Sequence, residues 1–253
     1  MDTNYNNDDV FYSEEEQETN CKWNIEQHSK QVKENHPNYV VYTSIMINLI
    51  SIYYIYLDFN VNSVVLISFV MFFFIDLASG ILHIILDNPY NLSSKFIGKY
   101  AEGFQQHHYN TALIVNMRLS DHLRPMAVVS LLTSYLGLLI HGCNNTSLYI
   151  FIVIFSFNLC WMQCCHRWSH MSSSKRGRTI TFLQNVGLCL KPIEHLKHHR
   201  APYQSNFCIM SGIFNPILNM ITKHISFLHP HKKIWTPIFV CLMTVSIYTI
   251  PKL

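Results

Sequence analysis

The stretch from Val61 to Leu86 reads VNSVVLISFVMFFFIDLASGILHIIL, an apolar run interrupted by Asp76 and His83 and followed at once by Asp87. It is longer than the roughly 20 residues an α-helix needs to cross a hydrocarbon core, so the chain is expected to enter a membrane here. On a helix, His83 and Asp87 stand at i and i+4, one turn apart on one face. A carboxylate at the end of a membrane helix costs several kcal/mol unless it is paired or bound to a metal, which makes Asp87 a candidate ligand. Asp76, just past the triplet Phe72 to Phe74, poses the same problem inside the span. Its expected place is behind the ligands, holding one imidazole by its other nitrogen.

Four more apolar runs lie on either side, at Val40 to Leu57, Met126 to Ile140, Leu148 to Cys165 and Ile234 to Ile250. The Met126 run is short and is expected to lie partly in the interface. Hydrophobic residues make up 49% of the 253 and charged residues 13%, about half the usual charged share of a globular protein. The expected fold is therefore all-α, an integral membrane bundle of four to five spans. Residues 1–38 carry nine acidic groups against three lysines with little apolar periodicity, and read as a disordered acidic tail. Residues 39–253 read as one membrane domain. The eight cysteines show no paired spacing and are read as reduced packing residues. No cleavable signal peptide is expected, because the first apolar run begins only after the polar tail.

Charge sets the sidedness. Four Lys or Arg lie between Asp87 and Pro125 and ten between His166 and Lys233, whereas Asp58 to Asn60 and Gly142 to Ser147 carry none. The positive-inside rule then puts the tail and the histidine-bearing connections on the cytosolic face. The sequons in Asn144 to Ser147 fall in the opposite loop, as a lumenal loop permits.

Histidines gather on that cytosolic side, where the apolar runs stop: His83 with Asp87, the pair His107-His108, the HRWSH of His166 and His170, and the HLKHH of His195, His198 and His199. His122 is a looser companion. The i,i+4 spacing in HRWSH, and i,i+3,i+4 in HLKHH, turn each set toward one ion. The number of imidazoles exceeds what one tetrahedral zinc uses, so two metal ions are the natural reading. Any one cluster alone would pass for core or loop histidines; the conjunction at membrane-helix ends makes the case.

Other chemistries are excluded one by one. A zinc protease motif needs Glu directly after the first His of HExxH, and here Arg167 holds that place. Nucleophile elbows, phosphate loops and nicotinamide fingerprints are absent. The basic residues adjoin the spans rather than forming an independent face, which argues against nucleic acid. A nitrogen-rich pair of sites suits two Fe ions activating O2, and removing hydrogen from an unactivated chain needs such an oxidant.

The segment Gln163 to Asn219, with QCCHRWSH, LQNVGL and EHLKHHRAPYQSNFCIMSGIFNPILN, resembles the Kua-type membrane lipid desaturases. That group includes animal plasmanylethanolamine desaturases, which make the plasmalogen vinyl ether, and the plant trans-3-palmitate phosphatidylglycerol desaturases. SGILHIILDN at Ser79 to Asn88 and QQHH at Gln105 to His108 match earlier boxes, so the resemblance covers about Asp76 to Asn219. It implies that His83, Asp87, His107, His108, His166, His170, His195, His198 and His199 are the di-iron ligands, with His122 and Asp76 as further candidates. One departure stands out: where the plasmalogen branch has a histidine nine residues after the double-histidine pair, this chain has Met117. The plant branch lacks that histidine too, and HHRAPYQSNFC reads closer to it.

The function implied is O2-dependent desaturation of a phospholipid chain near its headgroup. Electrons would come from an external b-type cytochrome or ferredoxin, since no haem or flavin motif is visible. A hydroxylase using the same oxidant, or a non-catalytic metal-binding scaffold, are the alternatives. The acidic tail lacks transit-peptide character, so the endoplasmic reticulum is the expected membrane.

Overall fold

The computed structural model describes residues 38–58, 61–141, 146–225, 228–230 and 232–249. The expected disordered tail, apart from Asn38, and most of the sequon loop lie outside the described residues. The described chain is helical, with no strand among its residues: α1 Tyr39–Asp58, α2 Val61–Asp87, α3 Gly98–Tyr109, α4 Ala112–Asn116, α5 Leu119–Ile140, α6 Thr146–Ser169, α7 Ser173–Asn185, α8 Pro192–His198, α9 Asn215–His224 and α10 Trp235–Thr249.

Four of these helices, α1, α2, α5 and α6, are long and apolar enough to cross a membrane. Helix α5 packs against α1 and α6, and α6 against α2. Polar side chains seal these contacts where no water could serve them. Ser44 Oγ donates to Ser130 Oγ at 2.9 Å, and Ser130 Oγ to the Ser156 carbonyl at 2.9 Å. The outward faces carry exposed Leu49, Tyr53, Leu66, Phe69, Leu132 and Leu136, as helices facing lipid do.

Two sequence expectations change. The third run is not short: α5 begins at Leu119 and continues through Pro125, 22 residues in all, so His122 and Arg124 belong to a membrane-length helix. The last run forms only the 15-residue α10, below membrane length within the described residues.

The segment between α8 and α9 has no regular structure, yet Phe207, Cys208, Ile209 and Met210 are at most 2% exposed. Met210 packs with Met71 and Ile75 of α2, well inside the span. Irregular backbone survives at such depth only where its N–H and C=O groups find partners. Here Ile209 N–H donates to Ser79 Oγ (3.1 Å), Cys208 N–H to Asn215 Oδ1 (2.8 Å), and Leu190 N–H to the Met210 carbonyl (2.7 Å). The carboxylate of Asp76 accepts three more, from Ser211 (2.7 Å), Gly212 (2.9 Å) and Phe214 (3.0 Å). This corrects the expected role of Asp76: its carboxylate accepts from backbone amides, and among the described residues no imidazole bonds to it. Close approach explains two glycines. A Cβ on Gly80 would meet Leu218 and Cys208 within 2.7 Å, and Gly212 adopts φ +83° with Leu190 2.9 Å from where a Cβ would stand.

Candidate metal centre

The candidate donors stand at or near the C-terminal ends of their helices. His83 and Asp87 occupy the last turns of α2, and His166 the last turn of α6 with His170 just beyond. His107 and His108 close α3, while α8, started by Pro192 at its first position, carries His195 and His198 with His199 as its C-cap.

These nine residues converge. His107, His166, His170 and His195 form one group, His83, Asp87, His108 and His198 a second, and His107, His108 and His199 a third that joins them; within each group the donor atoms lie within 4.8 Å of one another. Nε2 atoms face each other: His195 to His170 at 2.9 Å, His170 to His166 at 3.3 Å, His199 to His195 at 3.2 Å and His198 to His108 at 3.0 Å. Asp87 adds its carboxylate, with His83 Nε2 at 3.2 Å, His198 Nε2 at 3.1 Å and His108 Nε2 at 3.4 Å.

The backbone decides which nitrogen points inward. His83 Nδ1–H donates to the Phe207 carbonyl (2.8 Å), His198 Nδ1–H to the Ser205 carbonyl (2.9 Å), and His107 Nδ1–H to the Phe104 carbonyl. With Nδ1 protonated, the Nε2 lone pair is left for a ligand, the arrangement metal-binding histidines use. Among the converging donor atoms, His83 Nε2, His107 Nε2 and both carboxylate oxygens of Asp87 are buried without a hydrogen-bond partner. A protein seldom leaves so many buried polar atoms unmet. The donor set is the kind two cations would satisfy, and the residues fit a pair of metal ions.

Burial also keeps these rings neutral. It drives the His108 and His170 imidazoles down to about 3, and those of His107, His195, His198 and His199 below the ordinary histidine range, with neighbouring imidazoles opposing a second positive charge. Neutral imidazole is the ligand form, so no proton competes with a metal at neutral pH.

His122 stands apart. Its Nε2–H donates to the Gln163 carbonyl at 2.9 Å, its ring centre is 6.3 Å from that of His166, and it belongs to none of the three groups. Met117 turns its backbone to use: its carbonyl, with those of Ile114 and Val115, accepts from the Arg167 guanidinium at 2.7–2.9 Å. The arginine inside HRWSH therefore straps α4 to α6, a role the sequence did not reveal. Tyr203, also unforeseen, stacks on His108 with ring centres 4.8 Å apart.

Of the four membrane-length helices, α2 and α6 end in a convergent, nitrogen-rich donor cluster that could hold metal ions, which defines a membrane protein with a candidate metal centre. The chain belongs to the lipid desaturase domain family, whose sequence model matches residues 72–227. It is 32% identical over 150 residues to the Arabidopsis thaliana "Fatty acid desaturase 4-like 2, chloroplastic", covering 57% of this chain and 51% of that protein. Against the "Fatty acid desaturase 4, chloroplastic" of the same plant, identity is 33% over 145 residues, 57% of this chain and 44% of the relative. Against the "Plasmanylethanolamine desaturase" of Myxococcus xanthus it is 27% over 154 residues, 58% and 52%. The chain thus spans about half the length of the curated relatives it matches. The chloroplastic names lend no support to the endoplasmic reticulum. No solved structure matches.

Proposed function

We propose that this chain is a membrane di-iron desaturase acting on the chain of an intact phospholipid. The supporting observation is the convergence of eight imidazoles and one carboxylate into two four-residue groups joined through His199. His107, His166, His170 and His195 would hold one ion; His83, Asp87, His108 and His198 would hold the other. Iron bound there would supply O2-dependent oxidation strong enough to take hydrogen from an unactivated carbon chain.

The balance is two hydrogens removed from adjacent carbons and one O2 reduced to two waters. Two electrons and two protons come from outside, the electrons through a small cytochrome or ferredoxin. The chain's own residues supply positioning. The carbonyls of Ser205, Phe207 and Phe104 fix three imidazole tautomers, and burial keeps water from the cluster. Because the ligands sit at helix ends, at headgroup rather than midplane depth, the new double bond belongs within about three carbons of the ester or ether linkage. The Lys and Arg bias favours the cytosolic or equivalent face for the site.

Lipid profiling of cells with and without the gene, alongside iron analysis of the purified protein, tests this reading. A new double bond near the linkage together with about two irons per chain, the number the two donor groups would take, supports it. Iron-free active protein, or a bond at mid-chain, overturns it.

A further inference from the structure

Beside the donor cluster lies a cleft of about 350 Å³ between the ends of α2 and α6, helix α3 and the first half of α5. Its lining along α5 comes from His122, Pro125, Met126 and Val129, positions i, i+3, i+4 and i+7, so the cleft follows one face of that helix for about 10 Å. Opposite, Leu82 and Leu86 of α2 and Phe104 of α3 make an apolar wall. The polar groups nearest this stretch are already engaged: Asp121 with Arg118 and Arg124, and His122 with the Gln163 carbonyl.

Its two ends differ. Lys99 and Glu102, both exposed, stand at one end on α3, beyond the membrane-length helices. At the other is Val129, 41% exposed and ten residues into α5, on the helix whose exposed Leu132 and Leu136 face outward farther along. Of the nine converging residues, His107 and His166 line the cleft, both from the four-histidine group; the group built on Asp87 contributes none.

We infer that this cleft seats the hydrocarbon chain of a membrane phospholipid, with the glycerol end at Lys99 and Glu102 and the tail along Pro125, Met126 and Val129. The occupant follows from three features: an apolar lining, a far end continuous with the lipid-facing surface of α5, and a charged near end at helix-terminus level. A pocket of such lining takes an apolar ligand and uses its few polar groups for orientation. The carbons near the linkage then pass His107 and His166, so the chain meets the four-histidine side of the cluster and is shielded from the Asp87 side. The placement of the reacting carbons rests on the desaturase reading; the occupancy of the cleft does not.

The test uses the full-length protein in lipid nanodiscs and phosphatidylglycerol carrying a diazirine midway along one acyl chain. After photolysis, peptide mass spectrometry is expected to find adducts on Pro125 to Val129, removed by excess unlabelled phosphatidylglycerol. Val129→Trp, which fills the far end, should cut this labelling about tenfold or more, the scale on which pocket shape discriminates. Tyr135→Trp, at an exposed position about 120° around the same helix from Val129, should leave it unchanged, and both variants should keep wild-type metal content. Adducts confined to residues off the cleft row such as Tyr135 and Leu139, or labelling that excess lipid does not compete, overturn the assignment. Saturable cleft labelling without any desaturated product keeps the cleft and removes the reaction; desaturated product with labelling elsewhere does the reverse.

Discussion

Helix α2 carries two carboxylates eleven residues apart, and the structure gives them opposite tasks. Asp87, at the end, faces three imidazole nitrogens at 3.1–3.4 Å. Asp76, about 16 Å further along the helix axis, faces three backbone N–H groups and no other charge in that arrangement. Both are paired, as a carboxylate at membrane depth must be, but with different groups. An anion among neutral imidazoles is an unfinished site, completed by a cation. An anion accepting three amide hydrogens is finished, and what it completes is a loop. Asp87 should therefore govern metal and activity, and Asp76 stability.

The largest effect is expected where the imidazole network is densest. His195→Ala removes the residue whose Nε2 lies within 3.2 Å of both His170 and His199. Activity should fall by more than about 100-fold, beyond the 10- to 100-fold typical of residues behind a ligand, and iron per chain should drop. Wild-type turnover in that variant would remove the di-metal assignment.

Asp87→Asn keeps the shape and removes the charge. A loss of activity of about 100-fold with lowered iron is expected, measured by turnover and metal analysis, while thermal unfolding of the metal-free protein shifts little. A large fall in metal-free stability would erase the contrast with Asp76.

Asp76→Asn is the complement. The amide nitrogen replaces an oxygen that accepts from a buried N–H, which costs on the order of 3 kcal/mol. The purified variant should unfold at markedly lower temperature, yet the fraction that remains folded should bind iron normally. Normal stability with lost iron would put Asp76 back among the groups that serve the metals.

The smallest effect belongs to His122→Asn. Its ring nitrogen serves the Gln163 carbonyl and lies outside all three donor groups, so iron content should stay at the wild-type level. Because it lines the cleft, turnover should change by less than about tenfold, within the range of pocket-shape effects.

The spans and the histidine clusters were legible in the chain for one physical reason: each is a local pattern. A run of apolar residues reports hydrocarbon contact, and histidines at i, i+3 and i+4 report a shared helix face, whatever the rest of the chain does. All nine residues singled out as ligands fall within the three donor groups. Asp76 was misassigned because its partners are 135 to 138 residues away and are backbone amides, which carry no side-chain signature. Arg167 was passed over for the same reason, since its acceptors are carbonyls near Met117. The length of α5 was underestimated because His122 and Arg124 interrupt its apolar run. In the fold Arg124 is fully buried and bonded to Asp121 and Asn38, so the interruption is internal to the protein and not exposed to lipid.

By itself the sequence determined an all-helical membrane chain and the histidine clusters that converge in the fold, because hydropathy and helical spacing act over a few turns. The tertiary structure alone decided how those donors divide into two groups, which imidazole nitrogen each presents, and which group borders the cleft. Those properties depend on where the carbonyls of Ser205 and Phe207 and the ends of α2, α3, α6 and α8 meet in space, and no short window of sequence encodes such a meeting.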